Sequence, residues 1–202
     1  MTRRLAFFAS HNGSNMQAVV RACEQGRLDA VAAVVVGNNA GSVALRFAAE
    51  HGIPAVKLNG RTHPEPDDLD AAICDALVAH DVELVVLAGY MKKLGPRTLA
   101  RYDGRIINIH PALLPQFGGQ GMWGSHVHGA VLAAGVAHTG VTVHLVDAEY
   151  DAGAILAQTR VAVQAGDDAT TLQTRVQARE HEFLVETVAA ILAGDIALPA
   201  PD

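Results

Sequence analysis

The hydrophobic positions along the chain form short continuous runs separated by longer segments of helical period. The apolar, β-rich runs are Leu5–Ala9, Val31–Val36, Ala55–Leu58, Leu84–Ala88, Ile106–Ile109 and Thr142–Val146. Short apolar runs bounded by turn residues are typical of buried strands, and most of the segments between them are long enough for helices. This alternation predicts βαβ units and a mainly parallel sheet flanked by helices.

Four other segments are predicted to be helical. They are Ser14–Glu24, Ser42–Glu50, Asp68–Ala79 and a final helix from about Asp168 to Ala193. In the first, apolar residues recur at i, i+3, i+4 and i+7 from Met16 onward, which places them on one helical face. Gly194 is the expected C-cap of the last helix, because glycine tolerates the left-handed conformation that ends many helices.

The stretch after Ile109 lacks such a period. Prolines and glycines are dense between Pro111 and Gly124, which predicts a loop, and loops often carry function. No linker, repeat or low-complexity tract divides the chain, so we expect one domain over residues 1–202.

Composition and charge narrow the class of protein. Half of the 202 residues are hydrophobic, 18% are charged, and the formal net charge is -6, so the chain is expected to fold and offers no general attraction for nucleic acid. Its two cysteines, Cys23 and Cys74, form no Cys-x-x-Cys pair, which excludes a zinc ribbon and a disulfide framework. The run Leu5–Ala9 is too short for a signal peptide or a membrane span. A cytoplasmic protein without membrane or nucleic-acid partners is expected.

The first candidate site lies where the first strand runs into the first helix, at Ser10–Asn15. Free N–H groups and the helix dipole favour an anion there. The alternative is an ordinary turn in which Ser14 or Asn12 caps the helix. Only Gly13 is present where a dinucleotide fingerprint needs three glycines, so a nicotinamide oxidoreductase is disfavoured.

Asn108 and His110 form the second candidate site, at the end of an apolar strand. Because side chains alternate along a strand, both point to one side, at an edge where open α/β sheets bind ligands. An amide donor beside a histidine can stabilise an oxyanion and move a proton, which acyl or formyl transfer requires. The alternative is a hydrogen-bonded strand end.

Acidic and polar residues near the C-terminus are weaker candidates. The loop Asp147–Gly153 holds three carboxylates; it is either a solvated hairpin tip or supplies one carboxylate that raises the pKa of His110 and keeps it charged. Gln177 and Glu180 share one face of the last helix, which is either solvated or part of a site. His126 and His128 lie on different helical faces without a third ligand, so no metal site is predicted.

Five ordered motifs together resemble a known family. They are His11–Gln17, Leu87–Met91, Asn108–Pro115, Val143-His144 with Asp151 and Gly153, and Arg175–His181. Their order and spacing are similar to those of the phosphoribosylglycinamide formyltransferase family from Leu5 to about Gly194. The Asn-x-His-Pro-x-Leu-Leu-Pro segment alone is less specific, since all enzymes that transfer formyl from 10-formyltetrahydrofolate share it.

The resemblance implies a fold and a reaction. The fold is a single α/β domain of the formyltransferase type, with a mostly parallel twisted sheet flanked by helices and a Rossmann-like N-terminal half. The reaction is formyl transfer from the co-substrate 10-formyltetrahydrofolate to 5-phosphoribosylglycinamide in de novo purine biosynthesis. It needs no metal and only small-molecule substrates, in a monomer or homodimer.

The resemblance also implies roles for individual residues. The catalytic residues are Asn108, His110 and Asp151. The phosphate and nucleotide would be bound by Gly13, Ser14, Asn15, Gln177 and Glu180. The folate would be bound by Met91, Lys92, Lys93, Leu94 and Asn108 and by Asp147, Ala148, Glu149, Tyr150 and Asp151.

Two segments depart from the family pattern. Thr62–Pro66 lacks a basic residue that contacts folate in many relatives, which leaves Arg61 as an open substitute. Phe117–Gly124 is longer than the usual turn and resembles a variant subgroup, with no role assigned.

Three other functions are alternatives. A deformylase would need an added N-terminal regulatory domain, and a methionyl-tRNA formyltransferase would need a C-terminal barrel, so neither is expected within 202 residues. A catalytically silent folate- or nucleotide-binding protein would not need the trio of Asn108, His110 and Asp151.

Overall fold

The computed structural model describes residues 2–199 and confirms the predicted α/β architecture, with seven strands and six helices in that range. The strands are β1 (Arg3–Ala9), β2 (Ala30–Gly37), β3 (Ala55–Lys57), β4 (Leu84–Leu87), β5 (Ile106–His110), β6 (His138–Leu145) and β7 (Ile155–Ala162). The helices are α1 (Ser14–Glu24), α2 (Val43–Glu50), α3 (Pro66–Ala79), α4 (Pro96–Arg101), α5 (Ser125–Ala133) and α6 (Ala169–Ala193).

All seven strands form one sheet in the order β3-β2-β1-β4-β5-β6-β7. Strands β1 to β5 pair in parallel, whereas β6 pairs antiparallel with β5 and β7 antiparallel with β6. The sheet is extended from β1 on one side by β2 and β3, and then on the other side by β4 and the strands that follow it. Such a reversal separates the connections and opens a crevice at the carboxyl ends of the strands.

The core lies on both faces of the sheet, as alternation along β1 illustrates. Leu5 and Phe7 pack in a cluster with residues of α1, α2 and α6, whereas Ala6 and Phe8 pack with residues of α3. Both phenylalanines are fully buried. Burial on both faces explains why the parallel strands read as continuous apolar runs.

Several predicted helix ends are confirmed, and one alternative is wrong. Helix α6 is capped by Asp168, and Gly194 ends it with a φ of 84°. Helix α1 has the predicted bounds, but its N-cap is Gly13, with a φ of 61° and no side-chain capping bond. The alternative in which Ser14 or Asn12 caps this helix is therefore excluded. No helix within residues 2–199 combines the length and apolar character that a membrane crossing needs.

Candidate active site

A cavity of about 580 Å3 opens at the carboxyl ends of β1, β4 and β5. Every residue that the sequence assigns to a site lies in its wall. These residues are Gly13, Ser14, Asn15, Met91, Lys92, Lys93, Leu94, Asn108, His110, Asp147, Ala148, Glu149, Tyr150, Asp151, Gln177 and Glu180. The fold thus brings five separated segments to one cleft.

The turn between β1 and α1 forms one end of the cleft. Gly13 has a positive φ, and a Cβ there would lie 2.9 Å from that of Ala44, so only glycine fits. Residues of α6 hold the next two side chains: Gln177 Nε2 donates to Ser14 Oγ at 3.0 Å, and Asn15 Nδ2 donates to a Glu180 oxygen at 3.2 Å. The first turn of α1 has no side-chain cap, so its N–H groups are available to an anion.

Glu180 provides a buried carboxyl group beside that turn. Burial raises its pKa to about 7, against the opposing effect of the hydrogen bond from Asn15. Asn15 Oδ1 is also buried and has no partner among the described residues. The side chains of Asn15 and Glu180 therefore carry acceptor oxygens for hydroxyl groups of a ligand.

The end of β5 forms the centre of the cleft. Ile107 and Ile109 lie in the core, and Asn108 and His110 line the cavity, which confirms the predicted alternation. His110 is only 3% exposed, and its Nε2 lies 2.8 Å from the carbonyl oxygen of Phe117. A carbonyl only accepts, so Nε2 carries the hydrogen of the neutral ring and Nδ1 has the free lone pair.

Asp151 faces two histidines. One carboxylate oxygen lies 3.5 Å from His110 Nδ1, and the other lies 3.5 Å from His144 Nε2. The backbone N–H of Gly119 donates to it at 2.9 Å. Burial raises the pKa of Asp151, but its contacts with His144 and His110 and the hydrogen bond from the Gly119 N–H outweigh this effect and keep that pKa below its usual value. The Asp151 carboxylate thus lies close to both His110 and His144.

The prediction that Asp151 raises the pKa of His110 above its usual value is wrong. Burial lowers the pKa of His110, and this effect exceeds the opposing influence of Asp151 and of the Phe117 carbonyl; His144 adds to the lowering. At neutral pH His110 is consequently a neutral imidazole with its hydrogen on Nε2. It is an acceptor at Nδ1 before the reaction, rather than a charged donor.

His144 is a site residue to which the sequence assigned no role. Asn108 and His144 are directly paired across β5 and β6, and Asn108 Nδ2 lies 3.1 Å from His144 Nε2. The other ring nitrogen donates to the Leu145 carbonyl at 2.7 Å. Val143-His144 within the family motifs was the available signal, but only strand pairing shows its partner.

A buried hydroxyl group holds the loop that follows His110. Thr142 Oγ1 donates to the Ala112 carbonyl at 2.7 Å and accepts from the Leu114 N–H at 3.1 Å. Gln158 donates to both the Leu114 carbonyl and Thr142. This network fixes the start of the loop whose later residues, Gly119 to Gly124, line the cavity.

The segment that departs from the family pattern at the expected folate contact does not line the cavity. Arg61 and Thr62–Pro66 are absent from the cavity lining as described over residues 2–199. Within the same part of the chain, no group of three or more His, Cys, Asp or Glu side chains is arranged to hold a metal ion.

The chain is similar to known proteins in both sequence and fold. Residues 3–188 match the model of the family described as formyl transferase. The chain is 44% identical over 189 residues to a phosphoribosylglycinamide formyltransferase of Mycobacterium tuberculosis, covering 93% of this chain and 84% of that protein.

Two further relatives are a plant protein and a solved structure. A chloroplastic phosphoribosylglycinamide formyltransferase of Arabidopsis thaliana is 38% identical over 190 residues, which is 94% of this chain; the chain spans 65% of the plant protein's length. The crystal structure of glycinamide ribonucleotide transformylase 1 from Symbiobacterium toebii superposes with a TM-score of 0.91 at 34% identity, covering 99% of this chain and 92% of that one.

Proposed function

The chain belongs to the formyl transferase family, and on that premise we propose that it transfers a formyl group from 10-formyltetrahydrofolate to the amine of 5-phosphoribosylglycinamide. One observation carries the proposal. A single cleft joins an uncapped helix N-terminus to the trio of Asn108, His110 and Asp151. A small phosphorylated amine could therefore be held at one end while its amine reaches the trio.

The nucleotide would occupy the end of the cleft formed by α1 and α6. The N–H groups of Gly13, Ser14 and Asn15 are suited to the phosphate, since the helix dipole favours negative charge there. Gln177 already donates to Ser14. The acceptor oxygens of Glu180 and Asn15 suit the hydroxyl groups of a ribose.

The folate co-substrate would lie between two segments that face each other across the cleft. One is 91–94, which follows β4, and the other is 147–151, which follows β6; both line the cavity. Asn108 lines the same cavity and would contact the formyl group. This arrangement would bring the formyl carbon near the nucleotide's amine.

Transfer begins when the uncharged amine attacks the formyl carbon and forms a C–N bond. The formyl oxygen becomes an oxyanion, to which Asn108 Nδ2 can donate the hydrogen that it does not use toward His144. His110 Nδ1 accepts the proton that the new ammonium group releases, directly or through water, and the Asp151 carboxylate stabilises the imidazolium. Loss of one oxyanion donor typically costs about 10²–10³ in rate.

Collapse of the intermediate completes the reaction. The oxyanion electrons restore the C=O bond, the bond between carbon and the folate N10 breaks, and the proton on His110 passes to N10. The products are the N-formyl nucleotide and tetrahydrofolate, and His110 returns to its neutral form. No step in this sequence requires a metal ion.

We also propose the setting of the reaction. The protein would act in the cytoplasm as one domain over residues 1–202, on small molecules alone, without a nucleic-acid or membrane partner. The residues proposed for the site all line one cavity of this chain, and we propose that the protein is a monomer or a homodimer.

An assay of both substrates tests the function. Purified protein is incubated with 10-formyltetrahydrofolate and 5-phosphoribosylglycinamide, and the formylated nucleotide and tetrahydrofolate are separated by chromatography. We expect both products in equal amounts, and His110→Ala should retain the fold but form product at least about 10²-fold more slowly.

A parallel reaction without the nucleotide is the control for hydrolysis. Tetrahydrofolate release at the same rate without the nucleotide would instead show a deformylase. A folded protein that binds both molecules and turns over neither would refute the proposal.

A further inference from the structure

Lys93 links the two segments that face each other across the cleft. Its ammonium group donates to the Ala148 carbonyl at 2.7 Å. It also lies 3.5 Å from a Glu149 carboxylate oxygen and 4.9 Å from the centre of the Tyr150 ring. One cation from segment 91–94 thus contacts three consecutive residues of segment 147–151. We name these four residues the Lys93 clasp.

The segment that bears Lys93 is well anchored. The Met91 N–H donates to Ser10 Oγ at 2.9 Å, and Leu94 is buried. Gly95 packs so closely on Asp70 that a Cβ would overlap that side chain. Lys93 therefore extends from a fixed part of the structure.

The opposite segment is anchored at its two ends and exposed between them, and at its first end the Val146 N–H donates to the Ile106 carbonyl at 2.9 Å. Gly153 lies against the Leu145 carbonyl, where a Cβ would be 1.9 Å away, whereas residues 147–150 are exposed. Asp151 stands next to this exposed stretch with a φ of 56°, which is unusual for a residue other than glycine. Such a backbone conformation persists where the surroundings hold it.

We propose that Lys93 is a positioning residue that clasps residues 148–150, so that the folate compartment keeps its width and Asp151 stays against His110. This inference rests on the proposed function, which places the folate between these two segments. Lys93 acts through the loop and not on the reacting atoms.

The combination of contacts distinguishes the clasp from an ordinary surface ion pair. The side chains of Lys93 and Glu149 are 48% and 78% exposed, and such a pair alone contributes little. The carbonyl and the ring face add two further acceptors for the same charge. Methionine matches the reach of lysine but can supply none of these contacts, whereas arginine keeps a donor and a cation.

The test compares Lys93→Met, Lys93→Arg and the wild-type protein in steady-state assays. We expect Lys93→Met to raise the KM for 10-formyltetrahydrofolate about three- to tenfold and to lower kcat by a similar factor, with the KM for the nucleotide within about twofold of wild type. Lys93→Arg should recover most of this loss. Lys57→Met, at the exposed end of β3, is the matched control and should behave as wild type.

Hydrogen exchange supplies a readout that does not depend on turnover. Amides of 147–153 should exchange at least about threefold faster in Lys93→Met, while amides of β2 should not change. Unchanged folate KM and unchanged exchange would overturn the clasp. An equal rise of both KM values with a lower Tm would also overturn it, because that pattern indicates a general structural role.

The two proposals can fail separately. If the wild-type protein transfers no formyl group, the proposed function is wrong, and faster exchange in Lys93→Met still decides whether the clasp holds the loop. If the wild-type protein is active and the variant matches it in both readouts, only the clasp is wrong.

Discussion

His110 and His144 each have one ring hydrogen committed to a main-chain carbonyl. His110 Nε2 donates to Phe117, and His144 Nδ1 donates to Leu145. Both remaining nitrogens face the carboxylate of Asp151. The backbone thereby sets the tautomer of each ring, and the nitrogen of His110 that faces the cleft is the one that can take up a proton.

The pH dependence of the reaction follows from the pKa of His110. Burial holds this pKa below 6.5, while the Asp151 charge opposes that effect. Asp151→Asn removes the opposing charge, so the pKa of His110 should fall further. The acid limb of the kcat/KM profile should therefore lie below pH 6.5 in the wild type and move to lower pH in the variant, with a lower kcat.

Steady-state rates between pH 5 and 8 check this prediction, with Asp103→Asn as an exposed control. A limb that moves upward in Asp151→Asn, or a wild-type kcat with an unmoved limb, would contradict the assigned role of Asp151.

Glu180 links the stability of the protein to pH. Burial raises its pKa from 4.5 to about 7, so the folded protein binds this proton more tightly than the unfolded chain. Its contribution to the free energy of unfolding is fully present below pH 4.5 and is lost as the pH rises through 7. Glu180→Gln should remove this loss. Between low pH and pH 8, the free energy of unfolding of the variant should therefore rise by roughly 3 kcal/mol relative to that of the wild type.

Urea unfolding at pH 4.5 and pH 8 measures that difference. The gap between Glu180→Gln and wild type should widen in favour of the variant at the higher pH, and the exposed Glu50→Gln should show no such widening. An equal gap at both pH values would mean that Glu180 does not titrate in this range.

At the scale of elements, β5 joins two kinds of strand pairing. It pairs in parallel with β4 and antiparallel with β6. Because β5 runs parallel to β4, its carboxyl end lies beside the loops that follow the other parallel strands. Because it runs antiparallel to β6, His144 lies opposite Asn108. Residues from two distant parts of the chain therefore meet at one strand.

Helix α4 depends on a carboxylate from another helix. Asp70 of α3 is only 5% exposed and accepts from the Arg97 N–H at 2.7 Å, the Thr98 N–H at 3.0 Å and the Thr98 hydroxyl. Asp70 therefore caps α4, because the N-cap residue Gly95 has no side chain that could do so. This cap also fixes the chain just after segment 91–94.

Asp70→Ala should lower the free energy of unfolding by about 2–4 kcal/mol, since it removes a cap and leaves buried donors without a partner. Urea denaturation measures the loss, and Asp75→Ala, on the exposed side of α3, serves as the control. A loss equal to that of the control would show that α4 forms without this cap.

At the scale of the molecule, the proposed nucleotide site joins the first and last helices. Asn15 and Glu180 are 165 positions apart and hydrogen-bonded. A ligand at α1 and α6 would therefore stabilise both ends of the described chain at once. Binding to the folded state alone raises stability by mass action.

Addition of 5-phosphoribosylglycinamide at about 100 times its Kd should stabilise the protein by about 2.7 kcal/mol and raise Tm by about 5–10 °C. Differential scanning calorimetry measures the shift, and glycinamide without the ribose phosphate is the control that should leave Tm unchanged. An equal shift with both compounds would place the binding energy outside the phosphate and ribose contacts.

Much of the fold follows from local patterns in the sequence. The bounds of α1, the six predicted strands and the glycine that ends α6 all depend on periodicity or caps within a few residues. Helix α4 was not predicted, because its six residues are too few to show a period and its cap comes from Asp70. Strand β7 was not delimited, because its polar and apolar residues are mixed and only pairing with β6 defines it.

The sequence by itself determined which residue types are available to the site: Gly13, Asn108 and His110 could be named from local motifs, and Asp151 from the family resemblance. Tertiary structure decided their physical state. The pKa of His110 is lowered and not raised because burial outweighs the nearby carboxylate, and burial depends on packing from the whole fold. His144 and Lys93 acquire partners only when separated segments meet, and no local pattern in a sequence records such a meeting.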